Sequence, residues 1–185
     1  IIALADQPRE AAKSTIEKLK ASGIRALIMI TGDNERVAAS ISEQVGLTDF
    51  RASLLPDEKV ETVEKLLAEH RQVAMVGDGV NDAPAMTKAT VGIAMGAGGT
   101  DVALETADVA LMADDISKLP FAVALSRQSR RIIKQNLAVS LGVIALLIPA
   151  TLFGFAGISI AIVFHEGSTL VVVANALRLL NFKVR

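Results

Sequence analysis

A chain of 185 residues with no cysteine and a formal net charge of −1 carries no disulfide or thiolate metal ligand of its own and gives no electrostatic argument for binding nucleic acid. Its length has room for one domain and a little more. Apolar residues make up 51% of it, and the excess is concentrated: residues 1–131 mix charged and apolar side chains as a globular α/β protein does, whereas no charge occurs from Leu137 to Phe164.

The chain opens on Ile1-Ile2-Ala3-Leu4-Ala5, a run suited to a buried strand, with neither an initiator Met nor a signal-peptide pattern. It is expected to be a carboxy-terminal piece of something longer; a trimmed small protein is the alternative. Asp6 can cap a helix that opens near Pro8 and runs to about Ser22, with Ala12, Ile16 and Leu19 at helical spacing and Gly23 at the stop position. Ile24–Ile30 is strand-like. Thr31-Gly32-Asp33-Asn34 then turns into a helix from Glu35 to Val45 that ends at Gly46. Pro56 opens another, with Val60, Val63, Leu66 and Leu67 on one face. Gln72–Val76 is a further core strand leading into a glycine-rich turn. Asn81–Lys88 (helix), Val91–Ala94 (strand), Thr100–Thr106 (helix) and Val109–Met112 (strand) complete the series.

Short apolar runs alternating with amphipathic helices argue for an α/β doubly wound parallel sheet. In such sheets ligands bind at the carboxyl ends of strands. Thr31–Asp33 and Gly77–Asp82 both follow expected strands, so both fall on that rim.

Beyond Asp114-Asp115 the pattern changes. Ile116 to Lys134 reads as one helix with a basic end at Arg127, Arg130, Arg131 and Lys134. The uncharged run that follows exceeds the roughly 20 residues one spanning helix needs, and Phe153-Gly154-Phe155-Ala156-Gly157 interrupts it. Two spans are expected, about Ile132–Phe153 and Ile158–Leu177, forming a transmembrane α-helical hairpin. Basic residues at both outer ends, and none in the turn, put both ends on the cytoplasmic side. A pair of core helices is the alternative, but a domain this small could not cover both all round. The expected divisions are 1–115, a linking amphipathic helix 116–131, and the two spans within 132–185.

The chemistry is concentrated in Gly77-Asp78-Gly79-Val80-Asn81-Asp82. Two carboxylates and a carboxamide there offer the oxygen ligands Mg²⁺ wants, and the glycines allow close backbone approach to phosphate. Turning alone needs none of the three polar groups. Asp33 and Asn34 have a plainer reading as helix caps. Lys59, in the first turn of a helix whose dipole it opposes, is either a solvated surface residue or a counter-charge for phosphate. Inside the second span, His165-Glu166-Gly167-Ser168-Thr169 places an ionisable pair in hydrocarbon, where such groups line a pathway or pair with one another. On a helix His165, Glu166 and Thr169 share an overlapping arc. Imidazole with oxygen donors suits a borderline divalent metal. A structural helix–helix hydrogen bond, with Gly167 and Ser168 as small packing residues, is the alternative.

Met29-Ile30-Thr31-Gly32-Asp33-Asn34, Leu55-Pro56-Asp57-Glu58-Lys59 and Gly77 to Met86, in that order, resemble the phosphorylation domain of P-type ATPases. Gly92–Gly96, Gly99–Ala103 and Ala107-Asp108 continue the likeness, and Gln135-Asn136 carries it into the last two membrane helices. The resemblance implies part of a haloacid-dehalogenase-like domain that takes phosphate from ATP onto an aspartate. By that resemblance Thr31, Gly32, Asp33 and Lys59 are catalytic, and Asp78 is a ligand of the Mg²⁺ cofactor supported by Asn81 and Asp82. His-Glu-Gly-Ser-Thr followed by Asn175-Ala176-Leu177-Arg178-Leu179-Leu180 is similar to the heavy-metal branch, in the class usually linked to cobalt and variably to zinc, iron or nickel. His165, Glu166 and Thr169, with Ser168 as a weaker candidate, would then touch the transported ion.

The family's Asp-Lys-Thr-Gly-Thr motif, which bears the phosphorylated aspartate, is absent from this sequence. The resemblance therefore implies half an active site, inactive by itself, whose partners are the amino-terminal part of the same ATPase, the bilayer of the cell membrane and a transition-metal ion. A membrane-anchored phosphatase of the same superfamily is the competing reading; it would need a nucleophilic Asp, and the one after the first strand, Asp6, has Pro8 where a second carboxylate is required.

Overall fold

The computed structural model describes residues 8–77, 81–95, 106–111 and 115–183. The expected first strand with Asp6, the Thr100–Ala103 segment and Asp78 lie outside the described residues. The chain divides into two units, Ile1–Pro120 and Phe121–Arg185.

In the first unit, α1 (Ala12–Ala21) begins later than Pro8, after a turn closed by Ala12 N–H on the Arg9 carbonyl. It buries Thr15, Ile16 and Leu19. Among the described residues five short strands and three more helices follow: β1 (Ile28–Ile30), α2 (Glu35–Val45), β2 (Asp49–Arg51), α3 (Pro56–His70), β3 (Ala74–Gly77), α4 (Ala83–Lys88), β4 (Val91–Met95) and β5 (Val109–Leu111). Gly46 stops α2 at φ 77, where only glycine is unstrained. All described pairing is parallel, in two sheets: β1 with β2, and β3–β4–β5.

β2 escapes a reading of apolar runs because Asp49 and Arg51 flank its one apolar residue, Phe50. Parallel pairing with β1 makes it a strand (Ile28 opposite Asp49, Ile30 opposite Arg51). β3 begins at Ala74 rather than Gln72. Val73 instead closes a loop with Thr90, its N–H on the Thr90 hydroxyl and its carbonyl taking the Thr90 N–H.

One apolar cluster organises this unit. Val63 from α3, Met75 from β3, and Ala83, Ala85 and Met86 from α4 are buried together, with Ile30, Val60, Leu67 and Ala89 packed against them. Burial of this kind stabilises by roughly 25 cal/mol per Å² of apolar surface. Thr31, Lys59 and Asp82 each sit one residue from a member of that cluster: Ile30, Val60 and Ala83 respectively.

In the second unit, α5 (Leu119–Leu152) and α6 (Ile158–Leu177) are joined by residues 153–157, with Gly154 at φ 77. The expected linking helix and first span are parts of one continuous helix. A 3-10 turn, Ile116–Lys118, precedes it, with Asp115 accepting the Ser117 N–H. Both helices are long and apolar enough to cross a membrane, and almost none of either span is buried within the chain; Leu146, Leu152, Ile158, Val163 and Leu170 are among the exposed large apolar side chains. Core helices of a soluble protein bury such residues.

Candidate functional site

The rim after β1 is a tight turn. The Thr31 hydroxyl donates to Asp33 Oδ2 at 2.8 Å and accepts the Asp33 N–H at 3.1 Å. Asn34, not Asp33, caps α2, its side chain accepting the Val37 N–H at 3.0 Å. The Asp33 carboxylate is thus free of helix duty. The loop after β2 fixes this turn from the other side: Thr31 N–H donates to the Arg51 carbonyl, Ser53 N–H to the Asp33 carbonyl at 2.7 Å, and Leu54 N–H to the Thr31 carbonyl. Ser53 holds φ 56, a left-handed conformation that non-glycine residues seldom adopt. A Cβ on Gly32 would lie 3.3 Å from the Leu54 carbonyl, so this backbone passes closely over that loop. At the start of β2, the Arg51 guanidinium and the Phe50 N–H both donate to Asp49 and hold its carboxyl below the usual range.

A second polar pair lies on the α3–α4 side. Leu55 N–H donates to Glu58 Oε2, and Pro56 occupies the first turn, where a missing N–H costs nothing. This start sets Lys59 one residue before Val60, which packs on the core. Lys59 Nζ donates to Asp82 Oδ1 at 2.7 Å, with only 18% and 16% of the two side chains exposed. Asp82 precedes α4 yet makes no side-chain cap to it. Gly77 makes room for this pair: a Cβ there would come within 2.7 Å of the Asp82 Cβ. Asn81 is exposed. Sequence reasoning named Lys59 and Asp82 separately; what it missed is that they are each other's partner. The described residues bring together Thr31 with Asp33, and Lys59 with Asp82.

In the second unit, His165 and Glu166 line a groove of about 340 Å³ with Leu147 and Thr151 of α5 and Ile158, Ala161 and Ile162 of α6. Ser168 and Thr169 do not line it. Their hydroxyls donate to the His165 carbonyl at 2.7 and 3.3 Å, tying them to the helix backbone. Thr151 does the same toward the Leu147 and Ile148 carbonyls. No group of three or more His, Cys, Asp or Glu side chains placed to hold a metal occurs among the described residues. Sequence reasoning also missed a polar cluster at the opposite end of the hairpin, formed by Gln135, Asn136, Asn175 and Arg178.

Residues 1–90, which include most of this parallel α/β unit, match the haloacid dehalogenase-like hydrolase family. The chain is 49% identical over 183 residues to the probable cadmium-transporting ATPase of Staphylococcus aureus (strain MRSA252), an alignment covering 99% of this chain and 25% of that protein. It is 51% identical to the zinc-transporting ATPase of Bacillus subtilis (strain 168), over 97% of this chain and 28% of that one. A crystal structure of a zinc-transporting PIB-type ATPase in its E2.Pi state matches with a TM-score of 0.88 and 46% identity, covering 96% of this chain and 29% of the other. By sequence and by fold the chain is similar to one part of cadmium- and zinc-transporting P-type ATPases. It spans about a quarter of the length of the curated relatives it matches. These relatives are named for cadmium and zinc rather than for cobalt or nickel. They do not favour the phosphatase alternative.

Proposed function

We propose that this chain is part of an ATP-driven exporter of divalent heavy-metal ions that works through an aspartyl-phosphate intermediate. In this reading it supplies the Mg²⁺- and phosphoryl-binding half of the catalytic site and part of the ion pathway. The supporting observation is the combination in one chain of a largely buried Lys59–Asp82 pair at strand ends with an ionisable His165–Glu166 pair on a groove whose other lining is mostly apolar.

The donors offered on the rim by Asp33, Asn81 and Asp82 are all oxygen, the chemistry Mg²⁺ selects. Asp78, with Asn81 and Asp82 in support, would hold the ion, and when bound it would neutralise charge on the phosphoryl oxygens and on ATP. The chain's own residues do the rest by position and charge. Lys59, held at a fixed place by Asp82, presents an ammonium to a phosphoryl oxygen. Gly32 offers backbone N–H without a side chain in the way. Asp33 accepts the hydrogen bond from the Thr31 hydroxyl and so orients that hydroxyl. The nucleophilic aspartate, and most of the grip on ATP, come from the rest of the ATPase, so the 185 residues alone form no acyl phosphate.

Both apolar helices span the cell membrane in this reading, with residues 1–131 and the carboxy terminus cytoplasmic, the side favoured by Arg130, Arg131, Lys134 and Arg178. An imidazole beside a carboxylate suits borderline metals. Cadmium and zinc come first because the relatives are named for them, and cobalt and nickel stay in the class through the His-Glu-Gly-Ser-Thr motif. Ser168 and Thr169 keep oxygen lone pairs for the ion while donating to the backbone.

The test is ATP hydrolysis by the complete ATPase in lipid vesicles, titrated with Cd²⁺, Zn²⁺, Co²⁺ and Ni²⁺. Stimulation by at least one, abolished along with phosphoenzyme formation by Asp78→Asn, is expected. Turnover indifferent to all four metals overturns the proposal.

A further inference from the structure

The polar cluster at the basic end of the hairpin is a closed donor–acceptor chain. Asn175 Nδ2 donates to Asn136 Oδ1 at 2.8 Å and to Gln135 Oε1 at 3.2 Å. Asn136 Nδ2 donates to the Val172 carbonyl at 3.3 Å. Arg178 donates to Asn175 Oδ1 at 2.9 Å. The Asn175 amide therefore uses both its protons and its oxygen, and every bond except that to Arg178 crosses from one helix to the other. A carboxamide pair at one level of two apolar helices fixes their register, because any slip strands polar groups in apolar surroundings.

This register bears on the groove. Ala161 and His165 line it on the α5-facing side of α6. Val172 lies one heptad on from His165, and its carbonyl meets α5 through Asn136. His165 and the Asn175 lock thus occupy one helix–helix seam, separated by roughly 15 Å along the axis. Along that stretch α6 offers Ser168, small and bonded to its own backbone. Small residues bring helices close without fixing their register.

We propose that Gln135, Asn136 and Asn175 form a register pin that sets the rotation and height of α6 on α5 and so presents His165 to the groove. They are positioning residues and touch no ion. The effect on metal rests on the transport reading above; the pin itself does not.

The bonds also fix a direction. Asn175 must donate, and Asn136 must accept from it. Asn136→Gln keeps both an acceptor for Asn175 and a donor for the Val172 carbonyl and is expected to preserve most of the function, whereas Asn175→Asp removes both donors and is expected to behave like Asn175→Leu. The experiment uses the complete ATPase in vesicles, with spin labels on the exposed positions Leu141 and Leu170 and, in parallel, unlabelled protein titrated with Cd²⁺ or Zn²⁺. A narrow inter-label distance distribution is expected in the parent and in Asn136→Gln, and a broadened or shifted one in Asn175→Leu and Asn175→Asp. For these last two the half-maximal metal concentration should rise about tenfold, the worth of one or two such bonds, with the maximal rate nearly unchanged. An unchanged distance distribution in Asn175→Leu overturns the pin. A broadened one with unaltered metal dependence overturns its link to His165. If the parent shows no metal stimulation, the transport reading fails, and the distance measurement still decides the pin.

Discussion

Lys59 Nζ lies 2.7 Å from Asp82 Oδ1, and the two residues are 23 positions apart in sequence. The contact ties the first turn of α3 to the start of α4 across the mouth of the rim. Both side chains are mostly shielded from water, so removing one partner leaves the other charge poorly solvated. Lys59→Met and Asp82→Asn are each expected to cost about 1–3 kcal/mol, less than a fully buried pair because some solvent reaches it. The double variant should recover part of that loss. Thermal melting of the four proteins in a double-mutant cycle measures the coupling, and strict additivity would show that the contact carries no energy. Phosphoenzyme formation should fall in all three variants, since no water-exposed lysine substitutes for one held in place.

Asp33 and Asn34 separate on the same logic. Asn34 accepts the Val37 N–H and caps α2, while Asp33 bonds Thr31 and does not cap. Asn34→Ala is expected to cost about 1 kcal/mol of stability and to leave phosphoryl chemistry nearly intact. Asp33→Asn should melt close to the parent and lose turnover by orders of magnitude. A large loss of stability with Asp33→Asn, or of chemistry with Asn34→Ala, would reverse the two roles. From sequence, both residues were equally plausible caps. Only the bond from the Val37 N–H to the Asn34 side chain tells them apart.

The boundaries of α2 and α6 and the start of α3 were legible because each has a hard punctuation mark: Asn34 and Gly46, Gly157 followed by an apolar run, and Pro56. α1 starts at Ala12, after a turn that Ala12 N–H closes on the Arg9 carbonyl. β2 was invisible because a three-residue strand with charges at both ends has no apolar signature, and its existence rests on a long-range ladder with β1. The same limit hid the site's pairings. Spacing put Thr31–Asp33 and Asp82 at strand ends, yet the Lys59–Asp82 and Asn136–Asn175 contacts are tertiary, made by packing that no local pattern encodes.

Gly77→Ala tests how tightly the rim is built. The added methyl would sit 2.7 Å from the Asp82 Cβ and 2.9 Å from its Oδ2, closer than any carbon contact tolerates, so Asp82 must move off Lys59. A loss of about 1–3 kcal/mol is expected from the overpacking, together with a drop in phosphoenzyme formation comparable to Asp82→Asn. Ala at that position with full activity would show that Asp82 has room to shift without consequence.

Acid should act at β2. Hydrogen bonds from Arg51 and from the Phe50 N–H stabilise the ionised form of Asp49 and lower its folded-state pKa. A depressed carboxylate contributes stability above its unfolded pKa of about 3.9, and loses that contribution as pH falls through the lower folded value. Asp49→Asn should therefore flatten the acid limb of stability below about pH 4 and change little at pH 7 beyond the loss of a half-exposed pair. Melting temperatures across pH 3–7 in both proteins check it (approximate window set by the carboxylate range); parallel acid limbs would remove Asp49 from the account.

His165 carries the metal side of the proposal. It lines the groove with Glu166, while the hydroxyls of Ser168 and Thr169 donate to its carbonyl. The side chain and the backbone of this one residue are therefore separable. His165→Ala removes the imidazole and leaves the carbonyl that receives both hydroxyls, so α6 should stay intact and the protein should melt near the parent. Metal-stimulated turnover should fall at least tenfold, through a higher half-maximal metal concentration, as expected when a ligand worth at least about 1.4 kcal/mol is lost. Glu166→Gln keeps shape and removes charge, and should shift the preference among Cd²⁺, Zn²⁺, Co²⁺ and Ni²⁺ toward the metals that favour neutral nitrogen donors. If His165→Ala retains the parent's metal dependence while Thr169→Val loses it, the ion lies on the hydroxyl face of α6, and the groove between the helices is packing rather than pathway.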